Sequence, residues 1–157
     1  ECDWSSDVCS SDLRFEFHGP ARYVQDVTVL ERLKHIAGRE AWVTFGGELD
    51  ARGVQEVLER VDLVCCPSRV VEGGPTVALE AQAAGVPVIG AAIPGLTEIV
   101  QDGVNGRLVP MGDWRALAAA LRDVARDPTV VDRWRRALPS VRTMDDVARD
   151  YLELYAA

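Results

Sequence analysis

Lysine is nearly missing from this sequence: of 17 basic residues only Lys34 is not an arginine, and 25 acidic residues leave a formal net charge of -8. Phosphate-backbone binding draws on clustered Lys and Arg, so the acidic surplus argues against a nucleic-acid partner. Long apolar runs are missing too. The segment 61–67 is among the longest and is far too short to cross a bilayer, and no stretch has the basic, apolar and small-residue order of a signal peptide. A cytoplasmic location is the resulting expectation, with membrane association arising only through parts of the protein outside this sequence. The four cysteines show no metal or disulfide spacing: Cys2 and Cys9 lie in an unusual leader, and Cys65 and Cys66 are neighbours in an apolar run. That pair reads as small buried hydrophobes of a strand. No Gly-x-Gly-x-x-Gly follows the first strand signal, where only His18-Gly19-Pro20 stands, which disfavours a dinucleotide cofactor.

What is present is one domain's worth of chain, 157 residues with 48% hydrophobic content, enough for a single core. Residues 1–13 contain a near-repeat, Ser5-Ser6-Asp7-Val8 against Ser10-Ser11-Asp12-Leu13, without strand or helix periodicity and without an initiating Met. They are expected to be a foreign appendage or a disordered tail, and the domain is read over 14–157. There, strand signals at 15–18, 41–45, 62–66, 86–90 and 106–109 alternate with helical signals at 23–37, 54–61, 75–84 and 96–100. This rhythm predicts an α/β fold with a Rossmann-like parallel sheet and flanking helices. After Pro110 the pattern is wholly helical, over 114–126 with Asp113 as N-cap, 129–138 opened by Pro128, and 144–155. The arginines Arg115, Arg122, Arg126, Arg133, Arg135 and Arg136 of this helical extension are expected to form a solvated face.

The segment 67–85 reads PSRVVEGGPTVALEAQAAG, a strand end passing through a Gly-Gly-Pro turn into a helix that stops at Gly85. Pro75 suits a first helical position, leaving the N–H groups of Gly74, Thr76 and Val77 to face a ligand. Backbone donors and the helix dipole favour a phosphate there, and glycine lets it approach. Glu72 precedes the glycines, and Glu80 lies five residues beyond Pro75, about 7.5 Å along the helix axis. With phosphate at the helix start, Glu80 can accept both hydroxyls of a ribose, and Glu72 can reach hydroxyls on whatever the pyrophosphate carries. That ligand would be a nucleotide sugar. The same spacing also fits a plain turn, a loop charge and a surface glutamate.

These residues resemble the C-terminal, donor-binding domain of glycosyltransferase family 4, retaining enzymes of GT-B architecture. The resemblance rests on Pro67-Ser68, Glu72, Glu80-Ala81 and Gly85-Val86-Pro87-Val88 in that order, continued by Gly95, Glu98-Ile99-Val100, Asp102-Gly103, Asn105-Gly106, Leu108-Val109 and the ending at 151–155. It departs at Pro94-Gly95, where Gly-Gly is common, and at Met144, where an aromatic is. The resemblance implies retaining hexosyl transfer from a nucleotide diphosphate sugar without metal or other cofactor. It gives Glu72 the donor sugar and the catalytic role, Glu80 the ribose, Gly73, Gly74, Pro75, Thr76 and Val77 the sugar and phosphates, and Gly47, Glu48 and Leu49 the nucleobase.

The resemblance also implies parts that this sequence lacks. The family's domain opens with a strand ending in Gly-Arg and a helix bearing Lys, whose charges neutralise the leaving diphosphate, and nothing before Phe15 matches. In a sheet of order 3-2-1-4-5-6 that strand is central. The acceptor-binding N-terminal domain is absent as well, so the chain is expected to be inert alone and structurally compromised. The final helix, with Val147, Tyr151, Leu154 and Tyr155 at helical spacing, either crosses toward that domain or packs on its own core. Alternative readings are a nucleotide-binding module without turnover and a GT-B sugar-nucleotide epimerase or phosphorylase.

Overall fold

The computed structural model describes residues 13–20, 24–38, 42–71 and 73–156. It divides into two compact units, Glu1–Arg60 and Val61–Ala157. The leader segment 1–12 lies outside the described residues. Among the described residues no helix is long and apolar enough to cross a membrane.

The first unit holds β1 (Phe15–His18), α1 (Val24–Ala37), β2 (Val43–Gly47) and α2 (Ala51–Leu58). β1 and β2 pair in parallel, Phe15 opposite Val43, with a register shift at Phe17/His18. Aromatic contacts fasten the pair: Phe17 stacks on Phe45 with ring centroids 5.2 Å apart, and Phe15 meets Trp42 edge-on at 5.9 Å. α2 starts three residues earlier than periodicity indicates, because Asp50 caps it by accepting from the Gly53 N–H at 2.8 Å. It stops at Leu58, after which the Arg60 N–H bonds the Val57 carbonyl.

The second unit holds β3 (Val64–Cys66), α3 (Thr76–Ala83), β4 (Val88–Ala91), α4 (Leu96–Ile99), β5 (Gly106–Val109), α5 (Trp114–Arg126), α6 (Thr129–Arg136) and α7 (Met144–Ala156). Its sheet is parallel, in the order β3-β4-β5. Every residue of β4 is buried, as befits a central strand covered on both faces. Gly106 lies so close to β4 that an added Cβ would sit 2.3 Å from the Val88 carbonyl oxygen, and only glycine fits. Asp113 caps α5 by accepting from the N–H groups of Arg115 and Ala116, both at 3.0 Å. α5 and α6 then bury Ala120, Val124, Val131 and Trp134 against Ile89 and Val109. The Trp134 Nε1–H donates to the Gly103 carbonyl at 3.3 Å, so the one polar atom of this large core residue is satisfied. The α3 side contributes Ala78 and Ala81, both wholly buried.

One expectation is corrected and two are refined. Cys66 is buried but Cys65 is exposed, because alternation along a strand of three residues puts the two on opposite faces. Cys65 is nonetheless set closely enough among protein atoms that desolvation, with a smaller contribution from Cys66, pushes its thiol up to about 12, and it stays protonated at neutral pH. The arginines of α5 and α6 form the expected solvated face, with Arg122 half-buried, and part of it is ion-paired: Arg133 pairs with Asp127, and Arg135 with Asp62 and Asp132 while donating to the Gly85 carbonyl. The stripe on α7 covers no core, since no residue of that helix is buried and Tyr151 and Tyr155 stack on each other in the open.

Candidate functional site

In a parallel sheet the loops that follow the strands gather at the carboxyl edge, the side where α/β proteins place their ligands. In the second unit the loop after β3 leads to the turn before α3. Ser68 shapes its start, the hydroxyl donating to the Val70 carbonyl and receiving the Val70 N–H. Gly73 is exposed, and Gly74 has φ +143°, a conformation that a side chain would oppose; a Cβ at either position would meet nothing within 4 Å. The turn is therefore open on its outer side, with backbone that a ligand can approach.

Pro75 is the N-cap of α3 rather than its first helical residue, with extended backbone (φ -67°, ψ 113°), and α3 begins at Thr76. The correction strengthens the anion-binding geometry. Proline carries no capping side chain, so nothing of its own competes for the first N–H groups; the Ala78 N–H bonds the Pro75 carbonyl, and no described acceptor meets those of Thr76 and Val77. Two directed donors and the positive end of the helix dipole thus stand at the turn.

Glu80 is exposed on α3, one helical turn beyond Thr76, and neither pairs with nor hydrogen-bonds any described group through its side chain. Its carboxylate keeps all its acceptor capacity for a ligand. The buried face of α3 holds it in place: Ala78 and Ala81 pack inward, and buried Gln82 donates through Nε2 to the Ile99 carbonyl at 2.8 Å. Asn105 reinforces the same point by accepting from the Gln101 N–H at 2.8 Å. The motif residues around Glu98 and Asn105 therefore build the scaffold under α3.

Glu72, the residue expected to act in catalysis, lies outside the described residues. Gly47, Glu48 and Leu49, expected at a nucleobase, belong to the first unit, at the carboxyl end of β2. Gly47 accepts there from the Gly19 N–H at 2.8 Å, and Glu48 is exposed. Gly73, Gly74, Pro75, Thr76, Val77 and Glu80 form one continuous stretch in the second unit. No cluster of metal-ligating side chains occurs among the described residues.

Two further residues stand at the carboxyl edge of the β3-β4-β5 sheet and were not picked out as site residues from sequence. Arg69, in the loop after β3, reaches the loop after β5, and Trp114 opens α5 with 56% of its surface exposed. The readable signal was a tryptophan directly after the Gly-Asp that caps α5, where an exposed helix start has no structural need of one.

The family described as "Glycosyl transferases group 1" matches residues 10–140. A phosphatidyl-myo-inositol mannosyltransferase of Mycobacterium leprae is 34% identical over 92 residues, covering 59% of this chain and 25% of that protein. A glycogen synthase of Mycobacterium tuberculosis is 37% identical over 121 residues, covering 77% of this chain and 28% of that protein. This chain thus spans under a third of either relative. The Anabaena Alr3699/HepE crystal structure in complex with UDP-glucose superposes with a TM-score of 0.75 at 23% identity, covering 91% of this chain and 40% of that one, a likeness of fold.

Proposed function

The chain belongs to the group 1 glycosyl transferases, and from that premise we propose that it binds a nucleotide diphosphate sugar at the turn before α3, as the donor of a retaining, metal-independent hexosyl transfer. The observation that supports this most is the pairing of unmet N–H groups at Thr76 and Val77 with an unpaired carboxylate at Glu80 one helical turn further on. A diphosphate fits the donors and a ribose the carboxylate, so one rigid helix reads both parts of the ligand. Glu72 is assigned to the sugar and to catalysis, and Gly47, Glu48 and Leu49 to the base. The acceptor is assigned to the N-terminal domain of the whole enzyme, the cations that neutralise the leaving diphosphate to the Gly-Arg strand and Lys helix with which the family's donor domain opens, and the protein's place to the cytoplasm.

Calorimetry with UDP and UDP-glucose tests the reading, with ADP and GDP as competing bases. A hydrogen bond to a charged group contributes about 1.5–3 kcal/mol, so Glu80→Ala is expected to weaken UDP binding roughly tenfold or more. Glu72→Gln should abolish the gain of UDP-glucose over UDP and leave UDP itself unchanged. Unaltered UDP affinity in a folded Glu80→Ala variant would remove the ribose assignment.

A further inference from the structure

The carboxyl edge of the second sheet carries a feature that donor binding leaves unused. Arg69 leaves β3, yet its Nε lies 3.9 Å from the position that a Cβ on Gly112 would take, in the loop after β5. β3 and β5 flank β4, about 9.6 Å apart at the usual strand spacing, so the guanidinium crosses the carboxyl end of β4. Two residues past Gly112 stands Trp114, more than half exposed, near the equally exposed Met111. The Arg115 guanidinium covers one face of the indole, 4.3 Å from a ring centroid.

Charge sets this cluster apart from five other arginines of the unit. Arg107, Arg133, Arg135, Arg142 and Arg149 are each ion-paired. Arg69 and Arg115 pair with no described carboxylate; Arg115 covers one face of the ring, and Arg69 reaches the loop that precedes it. An indole face is electron-rich and attracts the weakly positive C–H face of a saturated ring. An unpaired guanidinium takes a phosphate through parallel N–H donors. A surface that offers both matches a ligand that is apolar on one face and anionic at one end.

We infer that Trp114 and Arg69 form a subsite for a phosphorylated sugar or cyclitol, its ring stacked on the indole and its phosphate held by Arg69. Arg115 backs the indole and adds to the positive field. The inference rests on the donor reading only for the meaning of the location: the stacked ring would lie at the end of β5, two strands from the β3 that leads to the donor turn. Binding itself is independent of that reading.

The test is a nitrogen–proton NMR titration of the full chain, following the Trp114 indole N–H, identified by its loss in Trp114→Phe. The probes are glucose 6-phosphate, glucose, inorganic phosphate and, separately, UDP. Glucose 6-phosphate should shift this signal saturably and at lower concentration than glucose or phosphate alone. Trp114→Ala, read on backbone amides of the 110–113 loop, should weaken glucose 6-phosphate about fivefold, and Arg69→Gln about tenfold, with UDP binding unchanged in both. Trp114→Phe, which keeps an aromatic face, should retain most of the affinity. Equal responses to glucose 6-phosphate and inorganic phosphate would remove the ring from the subsite. An Arg69→Gln variant that loses UDP but keeps glucose 6-phosphate would place Arg69 on the donor diphosphate and overturn the inference. A chain that binds glucose 6-phosphate but no UDP would sink the donor reading alone.

Discussion

The two units bury their apolar residues very differently. In the second, β4 is buried at every residue, Trp134 is 5% exposed, and helices supply core on both faces of the sheet. In the first, Leu58 is the only fully buried large apolar side chain among the described residues, while Phe17 is 42% and Ile36 77% exposed. Parallel strands ordinarily need cover on both faces, and a two-stranded pair makes little core of its own. The β1–β2 pair relies instead on stacked aromatics and a charged chain in which Arg60 and His18 both bond the Glu16 carboxylate. The lesson is that one sequence of regular α/β rhythm uses two sources of stability, hydrophobic burial behind the α3 turn and polar contacts in the first unit.

Truncating an aromatic in each unit should expose the contrast most strongly. Trp134→Ala removes a buried ring and leaves a cavity, an expected loss of about 3–5 kcal/mol. Phe17→Ala removes one partner of a half-exposed stack, an expected loss of about 1 kcal/mol. Amide exchange read strand by strand should show the first loss in β3, β4 and β5 and the second in β1 and β2. Comparable losses would mean that the first unit has a core as effective as the second.

Added methyl groups should sharpen the same contrast at smaller amplitude. At Gly106 a Cβ would meet backbone, 2.3 Å from the Val88 oxygen, in a strand pair that cannot part without breaking the sheet. Gly106→Ala is expected to cost about 3 kcal/mol. At Gly46 the clash is as close, 2.2 Å, but it is with Cε1 of the His18 ring, which can rotate away. Gly46→Ala should cost about 1 kcal/mol and free His18 from Glu16, visible as a change in the His18 ring resonances. Similar costs at both sites would show His18 to be as immobile as backbone.

How far the sequence disclosed these differences depended on whether a local signal outweighed its surroundings. β1, β5 and α5 carry unambiguous ends, the last through the Asp113 cap, and their limits were legible. α2 was not, because Gly53 reads as a helix breaker although its N–H is the one that Asp50 caps. The phosphate-binding character of 73–77 was legible from Gly-Gly-Pro, but Pro75's place as N-cap depends on a ψ of 113° that composition does not encode. Gln82 looks like a surface residue until Ala78 and Ala81 turn its face inward, and Arg69 gains meaning only through a loop more than forty residues downstream. Cys65 shows the limit of reading runs, since an apolar run does not say which of two neighbours points inward.

The smallest expected effect is a pH dependence confined to the first unit. The hydrogen bond from Arg60, and after it the one from His18, holds the Glu16 carboxyl at about 2, against 4.5 for a free one, with partial burial opposing. The folded value is depressed, so the unfolded state binds the proton first as pH falls. The stabilisation from Glu16 is therefore complete above about 4.5 and drains away as pH falls from there toward about 2. Arg60 is half exposed, and solvent screens the pair, so the effect should be smaller than the clash at Gly46. Amide exchange of β1 and β2 at constant intrinsic rate should lose protection across this window, while β4, which has no titrating side chain, should not follow. Glu16→Gln should flatten the β1–β2 profile and leave β4 unchanged. A parallel loss in both strand sets would tie the two sheets into one cooperative body and undo the contrast between them.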